Sequence, residues 1–488
     1  MDVQDLQEIT ITRKEIREIY DQGPEAVETL VLALVDKINF LTSVVKEQDL
    51  RINKLEESLG KNSRNSSKPP STDSPYKNRE KKKKKKKHGE KKKRTGTTLN
   101  QVSDPDEIIS CKVVFCEHCH RDLSSVEAKD IDKRQVTDIP PVKAFTTEYQ
   151  GEVKECPNCY KTNKAVFPDG VTHKAQYGPG VQAVAVYLRN YQLIPLERTI
   201  ELLRDLLGIS LSEGSLVNMT TRCADRLSGF METVKQKLTA ANIMHNDETG
   251  INVGGILHWL HTAGNQEYTY LFPHKKRGST AFEEMGILPD FQGVSVHDFW
   301  KPYEKYDCSH AYCNAHLIRE LTFAHENLKQ NWAGRMIRLM LNMKEKVDKS
   351  EKGFLEKDTV SEFIRKYKNI IKQAYKANPL PKKTGKRGRP KKGKVLCLVE
   401  RLDNHREDIL RFMKERNVPF DNNLAERDLR MVKVRQKISG TFRNLDRVKD
   451  YCRIRSYIST VKKQGEDVFP ALVATFTPNF EKILQLYS

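Results

Sequence analysis

Residues 240–264, AANIMHNDETGINVGGILHWLHTAG, decide the fold. Two apolar segments flank Gly254 and Gly255, and such a pair joined by a two-residue glycine turn predicts a β-hairpin. The first apolar run ends at Asp247. A further run, GVSVHDFW at 293–300, carries Asp298, and far downstream DNNLAERDLRMVKVRQK at 421–437 predicts a basic helix with Glu426 in its first turn. Two strand-borne aspartates and a helix-borne glutamate are the groups needed to hold two magnesium ions a few ångströms apart for phosphodiester chemistry. The expectation is an enzyme that cuts and joins DNA.

Each acid also has a plainer reading. Asp247 suits a strand-end turn, Asp298 suits a cap on the segment that follows, and Asn423 to Glu426 has the spacing of a capping box. Glu248, next to Asp247 on a strand, should face the opposite way and be dispensable. On the downstream helix Glu426, Arg430, Lys433 and Lys437 share one face, beside an apolar one of Ala425, Leu429 and Val432. A carboxylate at the head of a basic stripe suits a metal site with DNA laid alongside.

Around the hairpin, NIMHND, ILHWLHTA, YTYLFP, GVSVHD and a piece near SHAYCN predict strands, with STAFEEMG as a short helix before the fourth. Three antiparallel strands, a helix and an acid-bearing strand follow the chain order of a ribonuclease H-like α/β core. Residues 241–316 would form its first part, 317–418 a mostly helical insertion, and 419–488 the helix with the third carboxylate and the C-terminal region. In CSHAYCNAHLIREL, His310, Cys313 and His316 have the spacing to meet on successive helical turns, as a buried brace or a metal cluster. Trp300, Tyr303 and Tyr306 are core aromatics or a stacking platform for an unpaired base.

Upstream of the hairpin the chain changes character several times. Residues 1–60 form an N-terminal helical segment in which Val31, Ile38, Val45, Ile52 and Leu59 repeat every seven residues, with Val27, Leu34, Leu41, Gln48 and Leu55 in the second apolar register. β-Branched residues at one position and leucine at the other favour a parallel two-stranded coiled coil. The competing reading is an amphipathic helix packed on its own chain. Residues 61–104 have the composition of a disordered basic linker, and 173–240 predict helices, one ending near Gly208 and the next capped by Ser212, in a helix-turn-helix-like pair.

Between them, 105–172 carry CEHC (Cys116, Cys119) and CPNC (Cys156, Cys159), the paired spacing of a structural Zn2+ site. CKVVF, AFTTEYQGEVKE and KAVFP predict short strands there. Ten cysteines in 488 residues do not form a secreted disulfide framework.

The net charge is +20, and +19 of it lies in residues 76–95 and 382–394. Concentrated in two segments, it acts as an electrostatic grip on polyanions, nucleic acid first, or as a solubilising linker. Arg387-Gly-Arg389-Pro matches an AT-hook, which lies in narrow A·T minor grooves. No apolar run is long enough to span a bilayer and the N-terminus lacks a signal-peptide core, so the protein is expected to stay in the compartment where it is made, and the lysine run also suits nuclear localisation in a eukaryotic host.

The chain resembles the transposases of the insertion sequence 66 family over nearly its whole length. The resemblance rests on the zipper followed by NSSKPPS, the double CxxC module, YGPGVQAVAVYLRNYQLIPLERTIELLRDLLGISLSEGSL, HNDETG, HDFWKPY, CNAHLIREL and NNLAERDLR. It implies DDE catalytic acids at Asp247, Asp298 and Glu426, zinc-binding cysteines at Cys116, Cys119, Cys156 and Cys159, Mg2+ or Mn2+ dependence, and metal-dependent cleavage and strand transfer at transposon ends. Transposon-end and target duplex DNA, a homodimer or higher oligomer through the coiled coil, and small accessory proteins encoded by the same element are the partners it suggests. The competing function is a zinc-containing architectural or regulatory DNA-binding protein with an inactive nuclease-like core. Intact carboxylates at all three positions weigh against it.

Overall fold

The computed structural model describes residues 12–62, 64–66, 99–139, 142–380, 392–478 and 480. The lysine run at 76–95 and Arg387 and Arg389 lie outside them. The chain divides into two compact units, one of residues 1–77, 224–471 and 484–488, the other of 78–223 and 472–483.

The first unit begins with α1 (Arg13–Asp21) and α2 (Pro24–Gly60). Thr12 and Glu15 close a capping box on α1, and Pro24 starts α2 where its missing N–H costs nothing. Along α2, Val31, Leu34, Ile38, Leu41, Val45, Ile52, Leu55 and Leu59 are all exposed, so the heptad stripe is not packed on the chain's own core.

In the second unit the strands expected around the first CxxC are largely absent. Only β1 (Val153–Glu155) and β2 (Thr162–Lys164) form, as an antiparallel pair around the second CxxC, while the first is closed by a single bridge between Phe115 and Asp122. The exposure of Ile108, Ile109 and Val113 gives the physical reason, since a strand with no apolar partner has nothing to bury. Helices α3 (Pro179–Val186), α4 (Leu196–Leu207) and α5 (Glu213–Arg226) follow. Helix α4 stops at Gly208, whose φ of 66° is the left-handed C-cap, and the Ser212 hydroxyl accepts the Ser215 N–H at 3.1 Å before α5. Ala185, Leu203, Ile209, Leu211, Leu216 and Met219 form the small core of this helical group.

The sheet lies in the first unit, after α6 (Ser228–Thr239). Its strands are β3 (Ile243–Val253), β4 (Ile256–Gly264) and β5 (Thr269–His274), then, past α7 (Ser279–Met285), β6 (Val294–His297) and β7 (Ser309–Tyr312). Gly254 and Gly255, with φ of 57° and 85°, make the two-residue turn that joins β3 to β4. The order across the sheet is β5-β4-β3-β6-β7, with the first two pairings antiparallel and the last two parallel. β6 approaches β3 closely at Gly293, where a Cβ would sit 2.5 Å from the Asn242 carbonyl oxygen.

The expected helical insertion is α8 (Asn314–Glu326), α9 (Asn331–Asp348), α10 (Lys357–Ala377), α11 (Lys394–Asn404) and α12 (Arg406–Ile409). It is not a separate body. Leu317, Leu321, Trp332, Met336, Tyr367 and Leu402 share one buried cluster with Val294, Val296, Ala311 and Tyr312 of the sheet. The chain then runs through α13 (Asn423–Ser439), α14 (Leu445–Lys463) and α15 (Val468–Thr475), with α13 against β3 and α14 against β5. Among the described residues, no helix is long and apolar enough to cross a membrane.

Candidate functional site

The parallel pairing of β3 with β6 sets the site. Ile243 lies opposite Val294, Met244 opposite Ser295 and His245 opposite Val296. Carried two residues further, the same register brings Asp298, just past the end of β6, beside Asp247, which is not the strand-end residue expected from the sequence, because β3 runs on to Val253 as the partner of β4. Asp247 Oδ1 accepts the N–H of Glu248 at 2.9 Å, and Asp298 Oδ1 accepts the N–H of Trp300 at 2.9 Å, so each has one oxygen engaged locally. The turn-capping role available to Asp298 is thus realised, and it leaves the other oxygen for a ligand.

Glu426 arrives from α13. The capping box is not formed: no side-chain bond caps this helix, and Glu426 Oε1 is buried without a hydrogen-bond partner. The reason is register: the helix starts at Asn423, so Asn422 is the N-cap, Ala425 takes the third helical position and Glu426 falls one residue beyond the place a capping box needs, while the Asn422 side chain is used elsewhere. Its Nδ2 donates to the Asn246 carbonyl at 2.7 Å, its Oδ1 meets His245 Nδ1 at 2.8 Å, and its own N–H reaches Cys313 Sγ at 3.2 Å. Asn422 therefore ties the head of α13 to β3, one residue from Asp247. Asp428, one turn along, accepts from Lys463 at 2.9 Å, Ser459 at 2.8 Å and Thr269 at 3.0 Å, which fixes α13 to α14 and β5.

Burial first, and then the negative charges of Glu248, Asp298 and Glu426, hold the Asp247 carboxyl well above the usual carboxylate range. Asp247 is therefore within reach of the charges of both Asp298 and Glu426, although the three carboxylates do not all converge within 4.8 Å. Carboxylates are the hard oxygen ligands that magnesium or manganese takes.

Glu248, the next residue of the strand, is a buried anchor. Its side chain is 1 % exposed, pairs with Arg277 and accepts the Tyr303 hydroxyl at 2.5 Å. The Arg277 guanidinium lies 3.9 Å from the Trp300 ring centroid and 4.8 Å from that of Trp259. Tyr303 is buried against His297, ring to ring at 4.5 Å, so it serves the core and not a stacked base.

His310, Cys313 and His316 do not share a helix. His310 is on β7, where its Nδ1 meets His297 Nε2 at 2.9 Å, because the strand continues to Tyr312 and α8 starts only after Cys313. Cys313 is the N-cap of α8 and His316 lies in its first turn, 4.0 Å from Glu426 Oε1. Among the described residues, Cys313, His316 and Glu426 are the one group of three such ligands whose atoms all converge, within 4.8 Å.

On α13, Arg430 and Lys437 are exposed, while the Lys433 ammonium donates to the Gly250 carbonyl of β3. In the second unit the two CxxC turns repeat each other. The His120 and Tyr160 N–H groups donate to the Cys116 and Cys156 carbonyls at 2.9 and 2.8 Å, and both residues take positive φ, 59° and 56°. Backbone N–H groups of Cys119 and His118 lower the Cys116 thiol, and those of Cys159 and Asn158 lower the Cys156 thiol, which suits metal-binding thiolates. Both CxxC turns are formed, but the four thiols predicted to share one zinc do not converge as the Cys313 group does.

Comparison with known families adds two matches. The family described as Transposase IS66 family covers residues 174–449, more than half of the chain, and a family of unknown function (DUF6444) covers residues 6–101. No curated protein matches the chain. The chain belongs to the transposase IS66 family.

Proposed function

We propose that this transposase is a DDE enzyme that cleaves DNA at transposon ends and transfers the freed strand, with Asp247, Asp298 and Glu426 as its metal-holding acids. The observation that carries the reading is the register of β3 and β6, which sets two aspartates side by side while the Asp247 carboxyl feels the charge of Glu426. The strand order β5-β4-β3-β6-β7, three antiparallel strands followed by two parallel ones, supports a ribonuclease H-like core.

Divalent cations, when bound, would activate the attacking water or 3′-hydroxyl and stabilise the leaving oxygen. The protein's part is positional. Asn422 and His245 hold the head of α13 so that Glu426 meets the strand acids, and Asp428 fixes the rest of that helix. Exposed Arg430 and Lys437 offer charge to DNA phosphates alongside, and Lys433 follows once released from the strand. The exposed heptad stripe of α2 supports self-association, which would let one assembly hold two ends. The twin CxxC turns would join on one zinc.

The test is nicking and strand transfer on labelled end duplexes by wild type and by Asp247→Asn, Asp298→Asn and Glu426→Gln. Each variant keeps shape and removes one negative charge, so each should lose both reactions and keep DNA binding. Near-normal activity in Glu426→Gln would remove it from the set, and the third acid would have to be sought elsewhere.

A further inference from the structure

The helical insertion leaves the core and returns to it at nearly the same point. Cys313 caps its first helix, His316 lies in that helix's first turn, and Glu426 follows just after the insertion. The Asn422 N–H bonds to Cys313 Sγ at 3.2 Å, and the Asn314 N–H bonds to the Phe420 carbonyl at 3.1 Å, so the two ends are already fastened together. Two polar atoms at this junction, His316 Nδ1 and Glu426 Oε1, are buried with no hydrogen-bond partner. A buried polar atom left so is unfavourable, His316 Nε2 lies 4.0 Å from Glu426 Oε1, and one ligand atom each from Cys313, His316 and Glu426 fall within 4.8 Å of one another.

We propose that Cys313, His316 and Glu426 bind a thiophilic divalent cation, zinc in class, which clasps the base of the insertion to the head of α13. Sulfur, imidazole and carboxylate are the donors of tetrahedral zinc sites, and a thiol with an imidazole disfavours magnesium. Bond lengths of about 2.3 Å to sulfur and 2.0–2.1 Å to nitrogen or oxygen set donors roughly 3.3–3.7 Å apart, so the group must close by about 1 Å. Binding transfers the Cys313 thiol proton to solvent, and the fourth position stays open to water. Glu426 uses one carboxylate oxygen here and has a second for the acids of the strands. The clasp rests on the position of Glu426 and not on the strand-transfer chemistry proposed above, so either can fail alone.

The test is a cobalt titration of the full-length chain, because thiolate-bound Co2+ gives a near-ultraviolet charge-transfer band. Cys116→Ser with Cys156→Ser supplies a background in which the CxxC thiols no longer form a complete site. In that background one band-forming cobalt site should remain, Cys313→Ser and His316→Ala should each lose it, and His316→Cys should retain it. Circular dichroism checks the fold of each variant. Should Cys313→Ser unfold, His316→Ala at its partly exposed position still decides. No band in the background, or a band unchanged by His316→Ala, would overturn the clasp whatever the nicking assay shows.

Discussion

Replacing Asp247 with asparagine should stabilise the cation-free protein. The carboxyl is buried and faces the negative charges of Glu248, Asp298 and Glu426, so its proton is held more tightly in the fold than in the unfolded chain. The linkage sign follows from that direction. A raised acid contributes stability at low pH that is lost as pH rises through its folded value, so at neutral pH the charged group works against the fold. Asparagine keeps the shape and removes the charge. Relief of such functional strain commonly amounts to about 0.5–2 kcal/mol, which for a unit of this size is a rise of roughly 1–3 °C in Tm. Cation reverses the order, since at about 100 times its Kd a ligand of the folded state adds about 2.7 kcal/mol, and asparagine supplies no charge to hold it. Thermal unfolding of both proteins at pH 5 and pH 7.5, with and without Mg2+, tests the whole argument. In cation-free buffer at pH 7.5 the variant should melt higher, the gap should narrow at pH 5, and saturating Mg2+ should raise wild type alone. A variant less stable than wild type without cation, or an equal gain by both on adding Mg2+, would refute the reasoning.

Other expectations follow from the same geometry. Gly293→Ala would push a Cβ to 2.5 Å from the Asn242 carbonyl oxygen, so it should cost about 1–3 kcal/mol in chemical denaturation and reduce nicking by shifting β6. Burial lowers the His261 imidazole to about 4 from its ordinary 6.5, a contribution present above pH 6.5 and lost as pH falls toward 4. Denaturation at pH 7 and pH 5 should therefore show His261→Phe escaping about 2 kcal/mol of the acid-side loss. Lysine at Ile38 and Ile52 would bury like charges in a paired α2 and should give monomers by light scattering; a surviving dimer would place association elsewhere.

The local features of this fold were legible because their causes are local. Gly254 and Gly255 announce their turn, Gly208 and Ser212 announce a helix end and a helix start, and the acids of β3 and β6 stand where apolar runs finish. What the sequence hid depends on partners far apart in the chain. Nothing near Asn422 signals that it, and not Asn423, is the N-cap, which sets Glu426 one residue past the capping-box position, or that its side chain meets His245. Alternation along β3 turns Glu248 away from Asp247, yet only the fold supplies Arg277 and Tyr303 to make it a buried anchor. Likewise the spacing of His310, Cys313 and His316 suits one helix, whereas the strand before α8 sends His310 to His297 and gives the other two to Glu426. The basic segments at 76–95 and 382–394, including Arg387 and Arg389, lie almost wholly outside the described residues, and their grip on DNA rests on composition.

The central claim is that Asp247, Asp298 and Glu426 form one centre for hard divalent cations. Anomalous diffraction from crystals grown with Mn2+ tests it most directly. The account predicts a manganese peak bounded by all three carboxylates and weakened in Glu426→Gln crystals. Manganese bound to the aspartates alone with Glu426 turned away, or no peak there at saturating Mn2+, would contradict it.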